Sequence, residues 1–161
     1  MATQTIAAPG KYLTFALGEE EYALPVLRVR EIIKMMEITQ VPKVPPHVKG
    51  VINLRGKVVS VVDLRLKFGL PEVEYTQRTC IIVVQVRLES VQLLMGMVVD
   101  GVSEVLNLAA GDIENTPDFG GGVVTPYLLG MAKSKGKVKI LLDIDQVLSS
   151  QELAGLEPVL T

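Results

Sequence analysis

Short apolar runs rich in Val, Ile and Leu alternate with turns of Gly, Pro and charged residues along most of the chain. This pattern is typical of a sheet protein with many short strands. Alternation over 12–17 predicts a strand in which Leu13, Phe15 and Leu17 form the one face that lies in the core. The chain returns over 21–24 after a Gly-Glu-Glu turn. Further strand pairs are predicted for 51–54 with 57–63, 79–86 with 93–99, and 127–133 with 138–142.

Helical signals are few and short. Val26, Val29 and Ile33 fall at spacings of three and four. This periodicity predicts one or two helical turns over 26–34, with the valines on a common face.

Aspartates precede two other short segments that could be helical. Asp63 is placed to cap 64–68, which Gly69 and Pro71 terminate. Asp143 or Asp145 is placed to cap 144–148. A carboxylate at the N-cap position accepts hydrogen bonds from the free N–H groups of the first turn, so both segments are predicted to be short helices.

The chain contains an internal repeat. At a shift of 80 residues the matched pairs are Gly50 with Gly130, Gly56 with Gly136, Lys57 with Lys137, Val58 with Val138 and Asp63 with Asp143. At a shift of 73 they are Val26 with Val99, Val29 with Val102 and Glu31 with Glu104. Seven extra residues are therefore expected in the second copy, part of them at Gly120–Gly122. Chance matching between apolar strands is the alternative, which the ordered glycine, lysine and aspartate matches disfavour.

The repeat predicts one domain over 11–150 made of two related halves, about 11–75 and 76–150. A flexible tail is expected over 1–10, and a C-terminal tail with a helical pattern over 151–161. Because a strand-rich unit of about 60 residues buries only a thin core, the two halves are expected to pack together. Val98 and Val99 are expected near their seam, in an architecture of two small barrels that share a central core.

Composition and charge exclude several classes of function. The 16 basic and 18 acidic residues give a net charge of −2, which argues against a general nucleic-acid binder. One cysteine and one histidine exclude an intramolecular disulfide and a multi-cysteine zinc site. The apolar runs are far shorter than the roughly 20 residues that cross a membrane. The first residues lack the pattern of a secretory signal, so a cytoplasmic location is expected.

Catalytic residues are hard to find in this sequence. His47 lies in a proline-rich loop and is interpreted as exposed, and Cys80 as a small buried strand residue. Asp143 and Asp145 resemble a fragment of a metal site, but the repeat with Asp63 favours capping. We therefore predict no catalytic residue, cofactor or metal. A small hydrolase that uses Asp63, Asp143 or Asp145 is the alternative from another functional class.

The remaining candidates point to a surface for protein partners. Val26 and Val29 lie close to Glu31, and a partly buried valine stripe with a solvated glutamate is the plainer interpretation. Arg55 lies at a predicted hairpin tip, either as a solvated turn residue or as a partner of a carboxylate on another protein. Phe119 precedes three glycines and is either a core residue or an exposed anchor.

Four segments together resemble the CheW family of chemotaxis coupling proteins. They read YLTFALGEEEYALPVLRVREII, VKGVINLRGKVVSVVDLRLKFGL, GMVVDGVSEVLNL and YLLGMAKSKGKVKILLDID. The resemblance extends over about 11–150, and GVINLRG followed by VVDLR is its most specific part. It implies a mainly β fold of two intertwined five-stranded SH3-like β-barrels around a shared core, with short helices.

The resemblance also implies an adaptor without enzyme activity. Family members couple the cytoplasmic tip of a methyl-accepting chemoreceptor to the regulatory domain of the histidine kinase CheA. A cytoplasmic protein recruited to membrane-associated receptor arrays is therefore expected, with no cofactor, no nucleic acid and no direct membrane insertion. A CheW-like regulatory module of another two-component pathway is the alternative within the family, although 161 residues leave no room for an ATPase or receiver domain.

The partner-binding residues follow from the resemblance, position by position. Val26, Val29 and Glu31 match the family's partner surface, and Arg55 matches an arginine implicated in receptor contact. Val98 and Val99 match part of the groove between the barrels. Phe119 matches a position implicated in a second contact with the kinase.

Overall fold

The computed structural model describes residues 8–88, 91–114 and 128–147. These residues form mainly β-strands with two helices of four residues each. The strands are β1 Gly10–Leu17, β2 Glu20–Pro25, β3 Val29–Lys34, β4 Val48–Leu54, β5 Lys57–Asp63, β6 Cys80–Leu88, β7 Val91–Val99, β8 Gly101–Leu108, β9 Ile113–Glu114, β10 Leu128–Ser134 and β11 Lys137–Leu142. The helices are α1 Leu64–Lys67 and α2 Ile144–Val147.

The strands form two sheets that exchange their hairpins. Sheet one has the order β8-β1-β2-β11-β10-β9, and sheet two has the order β3-β6-β7-β5-β4. The first hairpin, β1–β2, therefore joins strands from the second half of the chain, and β6–β7 joins strands from the first half. The predicted mainly-β fold of two intertwined units with short helices is confirmed, and the two-residue β9 adds a sixth strand to sheet one.

One parallel pairing completes each sheet, and the two pairings are equivalent. In sheet two, Ser60 of β5 pairs with Met95 of β7. In sheet one, Ile140 of β11 pairs with Tyr22 of β2. Ser60 corresponds to Ile140 at the shift of 80, and Tyr22 corresponds to Met95 at the shift of 73. The repeat thus describes two copies of one strand arrangement.

The core has three parts. The largest is a shared cluster with side chains from both sheets, and each sheet also has its own smaller cluster. Strand β1 contributes to two of them, since Leu13, Phe15 and Leu17 lie in the shared cluster and Tyr12 lies in the cluster of sheet one. The prediction that β1 has one face in the core was therefore wrong, because β1 separates two clusters and buries both faces.

Strand β7 separates two clusters in the same way. Val99 is 1% exposed and lies in the shared cluster, while Val98 is 3% exposed and lies in the cluster of sheet two. The expected seam thus runs past Val99, with Val98 on the opposite side of the strand.

The segment after β2 differs from its prediction. Only Val26–Arg28 forms a turn of 3-10 helix, and Val29–Lys34 is strand β3. The predicted helix over 26–34 was therefore wrong beyond Arg28. Residues 29–34 instead gain a ladder with β6, and their burial alternates along the strand as in a half-buried β-strand.

Both predicted helix caps are present. Asp63 Oδ1 accepts hydrogen bonds from the N–H groups of Arg65 at 2.9 Å and Leu66 at 3.4 Å. Asp143 Oδ1 accepts from Asp145 at 3.1 Å and Gln146 at 3.3 Å. Asp143, and not Asp145, is therefore the cap of α2. The residues 1–7, Gly120–Gly122 and the tail 151–161 lie outside the described residues.

Candidate partner-binding surface

The β4–β5 turn holds Arg55 in an unusual backbone conformation. Arg55 has φ 51° and Gly56 has φ 89°, so both central residues of the turn are left-handed. Such two-residue turns match the twist of the strands that they join. The Asn53 side-chain oxygen accepts a hydrogen bond from Gly56 N at 2.8 Å, which fixes the turn. Arg55 therefore lies at the hairpin tip, as predicted, with a defined direction.

Arg55 forms a two-bond ion pair with Glu31 of β3. Its Nη1 donates to Glu31 Oε2 at 3.0 Å, and its Nη2 donates to Glu31 Oε1. The arginine side chain is 70% exposed and the glutamate side chain 31% exposed. The hydrogen bonds from Arg55 lower the pKa of Glu31, and those to Glu31 raise the pKa of Arg55. Two residues that the sequence placed separately on a partner surface are thus in direct contact.

A β-bulge directs Glu31 toward this pair. The register between β3 and β6 shifts between Val29, which pairs with Val84, and Glu31, which pairs with Val83. Without the shift, residues two apart would face the same side of the sheet. Instead Val29 packs on the shared cluster, while Glu31 lies at the end of the apolar side that forms the cluster of sheet two.

The Glu31–Arg55 pair borders an open concavity of about 540 Å³. Part of its lining is apolar, from Leu54, Val83 and Leu94. Its other residues are Arg30, Lys57 and Gln85. The rim of sheet two thus combines an apolar floor with an excess of positive charge, a combination suited to an apolar side chain beside a carboxylate.

The same pair recurs on sheet one. Lys135 has φ 54° at the tip of the β10–β11 turn, and its Nζ donates to Glu104 Oε1 of β8 at 2.8 Å. Lys135 corresponds to Arg55 at the shift of 80, and Glu104 corresponds to Glu31 at the shift of 73. Sequence reasoning matched Glu104 to Glu31 but missed this pair, because the shifts show which residues are equivalent and not which residues are in contact.

Val26 lies on a different surface. It lines a cavity of about 630 Å³ between the start of β1, the 3-10 turn and α2. Beside it Leu27 is 89% exposed, the most exposed of the large apolar side chains among the described residues. Sequence reasoning missed Leu27, because its exposure depends on the 3-10 turn Val26–Arg28 that precedes β3.

The other predicted partner-binding residues are placed as follows. Val98 and Val99 are buried, so neither side chain is accessible for direct contact with a partner. Phe119 lies outside the described residues. The structure therefore brings Glu31 and Arg55 together, places Val29 next to them on the opposite face of β3, and separates Val26 from them.

The remaining polar candidates are the helix caps Asp63 and Asp143, together with Cys80 and His47. Burial raises the pKa values of the caps Asp63 and Asp143. The backbone hydrogen bonds that these carboxylates accept lower the pKa values, but by less than burial raises them. Burial also raises the pKa of Cys80, which is half-buried at the start of β6. His47 is half-buried rather than exposed, and its carbonyl oxygen accepts from Asp63 N at 2.8 Å. Within the described ranges, His, Cys, Asp and Glu side chains form no group of three suited to a metal ion.

Two sheets that repeat one arrangement of strands, helix caps and rim ion pairs define a duplicated, intertwined β domain. The family model described as "CheW-like domain" matches residues 11–152. The chain therefore belongs to the CheW-like family. In the part of the chain that the structure describes, no helix is both long and apolar enough to span a membrane.

Named relatives and a solved structure agree with this assignment. The chain is 41% identical over 149 residues to a chemotaxis protein CheW of Klebsiella aerogenes, covering 92% of this chain and 87% of that protein. It is 31% identical over 156 residues to the chemotaxis protein CheW of Bacillus subtilis, with 97% of each chain covered. The crystal structure of a scaffolding protein CheW from Thermoanaerobacter tengcongensis matches with a TM-score of 0.78 and 31% identity, covering 89% of this chain and 95% of that chain.

Proposed function

We propose that this chain is a chemotaxis adaptor that couples the cytoplasmic tips of chemoreceptors to the regulatory domain of the histidine kinase CheA. The observation that carries the proposal is the CheW-like match over 11–152, nearly the whole chain. The names of the relatives, chemotaxis proteins and a scaffolding protein, support it. The adaptor acts by binding alone, without catalysis or a cofactor.

The rim of sheet two is the first proposed contact surface. Arg55 is mostly exposed, and its guanidinium has more N–H donors than the pair with Glu31 uses. A carboxylate on a partner helix can therefore join the pair and bind Arg55 from the solvent side, while an apolar side chain enters the concavity beside it. Glu31 and Val29 hold β3 in the position that this contact needs.

The surface around Val26 is the second proposed contact. Leu27 projects from it into solvent, and the lining of the neighbouring cavity combines apolar residues such as Leu129 and Ile144 with charged residues such as Lys11. Val98 and Val99 act indirectly, by packing in the sheet-two cluster and in the shared cluster respectively, and Phe119 contributes a further contact to the kinase. Two separate surfaces are what an adaptor requires, because the kinase and the receptor must be bound at the same time.

We further propose that the protein is cytoplasmic and is recruited to membrane-associated receptor arrays through these contacts. It does not bind nucleic acid and does not insert into the membrane. The net charge of −2 favours a protein partner over nucleic acid.

Binding measurements on the purified full chain test this proposal. Titration calorimetry with a CheA regulatory domain, and separately with a chemoreceptor tip fragment, is expected to give saturable binding without ATP and in the presence of a metal chelator. Absence of binding to both proteins would overturn the adaptor function. Binding to a regulatory domain of another two-component kinase alone would assign the chain to a different pathway. Binding that needs nucleotide or metal held by this chain would also contradict the proposal.

A further inference from the structure

The fold is assembled from two kinds of building unit, each present twice. We call the three-stranded groups β8-β1-β2 and β3-β6-β7 platforms one and two. We call the helix-bearing hairpins β4–β5–α1 and β10–β11–α2 modules one and two. Module one adds β5 in parallel to β7, and module two adds β11 in parallel to β2. The two ladders have equivalent registers, so an exchange of the two modules would keep the same residue pairing in each ladder.

A cluster of hydrogen bonds around Arg28 and Asp145, which we call the first clamp, holds module two against the two platforms. Arg28, in the 3-10 turn that leaves platform one, donates through Nη1 to Asp145 Oδ2 of α2 at 3.2 Å and through Nη2 to Asp145 Oδ1. Asp145 Oδ1 also accepts from Arg87 N of β6 at 2.8 Å. Arg28 Nε donates to the Gln85 carbonyl oxygen at 3.0 Å. This clamp joins a crossover segment, a module helix and the hairpin of the other platform.

The second clamp fixes module one by the same plan. Arg65 Nη1 of α1 donates to Asp100 Oδ2 at 2.6 Å, and Asp100 lies in the crossover that leaves platform two. Asp100 Oδ2 also accepts from Gly18 N at 2.7 Å, at the end of the β1–β2 hairpin. The Arg65 side chain is only 13% exposed, so this pair is partly desolvated.

The two clamps correspond through the repeat but have opposite polarity. Arg65 and Asp145 are equivalent at the shift of 80, each two residues after its helix cap. Asp100 and Arg28 occupy the two crossovers, just beyond the equivalent residues Val98 and Pro25. Module one thus presents a cation to an anionic crossover, and module two presents an anion to a cationic crossover.

A buried ion pair also favours the native assignment of module two to platform one, because the described residues at the equivalent positions of sheet two form no such pair. Lys139 of β11 lies beside Glu21 of β2 in the sheet-one ladder and donates to it, with the lysine side chain 3% exposed. The equivalent positions of sheet two are the apolar residues Val59 and Leu94, which pack in or against its cluster.

We propose that these charges specify which module joins which platform. With the modules exchanged, Arg65 would meet Arg28 and Asp145 would meet Asp100, so both clamps would become repulsive. Lys139 would lie beside Leu94, and Glu21 would lie beside Val59, which leaves a buried cation without its partner. Removing the partner of a buried charge is strongly destabilising, and like charges in contact select against a wrong partner. Stability alone does not require opposite polarity, since two clamps of the same polarity would supply equal attraction.

The proposal is tested on the full chain by exchanging the two charges of one clamp or of both clamps. The background is Glu21→Leu with Lys139→Val, which makes the two ladders alike. Variant A adds Arg28→Asp with Asp145→Arg, and variant B adds Arg65→Asp with Asp100→Arg. Variant C combines both exchanges. In A and B opposite charges meet in either assignment of the modules, whereas in the background and in C they meet only in the native one.

The outcome is measured by NMR of isotope-labelled protein, from the number of sets of amide signals and from the cross-strand contacts of each set. The background and variant C are expected to give one set of signals, with cross-strand contacts between the β-strand neighbours Val61 and Gly96. Variants A and B are expected to give a second set, with Val61–Ala23 contacts in about a tenth or more of the molecules, the upper range for a minor conformer. Variant C has every substitution of A and B, so simple loss of side-chain bonds would make it the most disordered. A single native set in A and B, or equal behaviour of A, B and C, folded or not, would overturn the proposal.

Discussion

Arg55 and Glu31 lie 24 residues apart in the chain and form a two-bond ion pair that joins the rim of β3 to the β4–β5 turn. Strands β3 and β4 are the two edges of sheet two. Beyond the end of β3, Thr39 and Val51 of β4 exchange backbone hydrogen bonds of 2.8 Å and 2.9 Å, so the segment that follows β3 is also joined to β4. The pair orders the Arg55 side chain at the surface, so in the proposed contact little side-chain freedom would be lost on binding.

The charges of this pair should affect binding and leave folding nearly unchanged. Arg55→Glu places two carboxylates together and removes the donor for a partner carboxylate, so the affinity for the partner should fall about tenfold or more. The double variant Arg55→Glu with Glu31→Arg should restore the internal pair but not the affinity, because the exposed charge has the wrong sign. Calorimetric titration and urea unfolding of the same samples measure both properties. Lys135→Glu, at the equivalent turn of sheet one, is the matched control, and full affinity in the double variant would show that the pair acts only within the chain.

Val99→Asp should destabilise the whole protein. Val99 is 1% exposed in the cluster that both sheets share, so the substitution buries a carboxylate without a partner. The expected loss is several kcal/mol, with a single transition shifted to much lower urea. Val105→Asp in β8 is the control, because Val105 is 53% exposed. Equal unfolding midpoints for the two variants would be incompatible with a shared core at Val99.

Gly50→Ala should open the bridge between Thr39, in the segment after β3, and Val51 of β4. Gly50 has φ 140°, and a Cβ atom there would lie 2.0 Å from the Thr39 carbonyl oxygen. That oxygen accepts from Val51 N, so relief of the clash breaks the Thr39–Val51 bridge. Hydrogen exchange at Thr39 and Val51 should become faster, together with a loss of stability above the ~1 kcal/mol of an average substitution. In Gly111→Ala, where no atom lies within 4 Å of the added carbon, the exchange of both amides should stay slow.

Asp63→Asn should change the dependence of stability on pH. Burial raises the pKa of Asp63, so the folded state binds its proton more tightly than the unfolded state does. The charged carboxylate therefore costs stability above its folded-state pKa, and this cost disappears as the pH falls through that value. Because Asn caps helices about as well as Asp, Asp63→Asn should gain most over the parent at neutral pH. Its advantage should shrink in acid, as urea unfolding at a series of pH values will measure. A constant difference across that range would mean that Asp63 has an ordinary pKa.

Local patterns in the sequence were enough for the hairpins and the caps. The Arg55–Gly56 turn, the strands on both sides of it and the Asp63 cap depend on neighbours within a few residues, and each was predicted. The repeat also held at the level of the structure, since the equivalent residues Gly50 and Gly130 both lie at register shifts in their hairpins.

Contacts between distant segments were not accessible in the same way. The helical spacing of Val26, Val29 and Ile33 was overridden by the ladder with β6, which is far away in sequence. Glu31 and Arg55 were identified separately, and their pairing depends on a bulge that a single strand does not reveal. The parallel ladders set the exchange of hairpins between the sheets. They pair β2 with β11 and β5 with β7, which are not neighbours in the sequence.

The most direct test of the adaptor function is a sedimentation assay with receptor tip fragments displayed on vesicles. The CheA regulatory domain is added with and without this chain, and its fraction in the pellet is measured. We expect the regulatory domain to sediment only when the chain is present, in proportion to the chain bound, and to stay in solution with the Arg55→Glu variant. An equal fraction of regulatory domain in the pellet with and without the chain would contradict the proposed coupling.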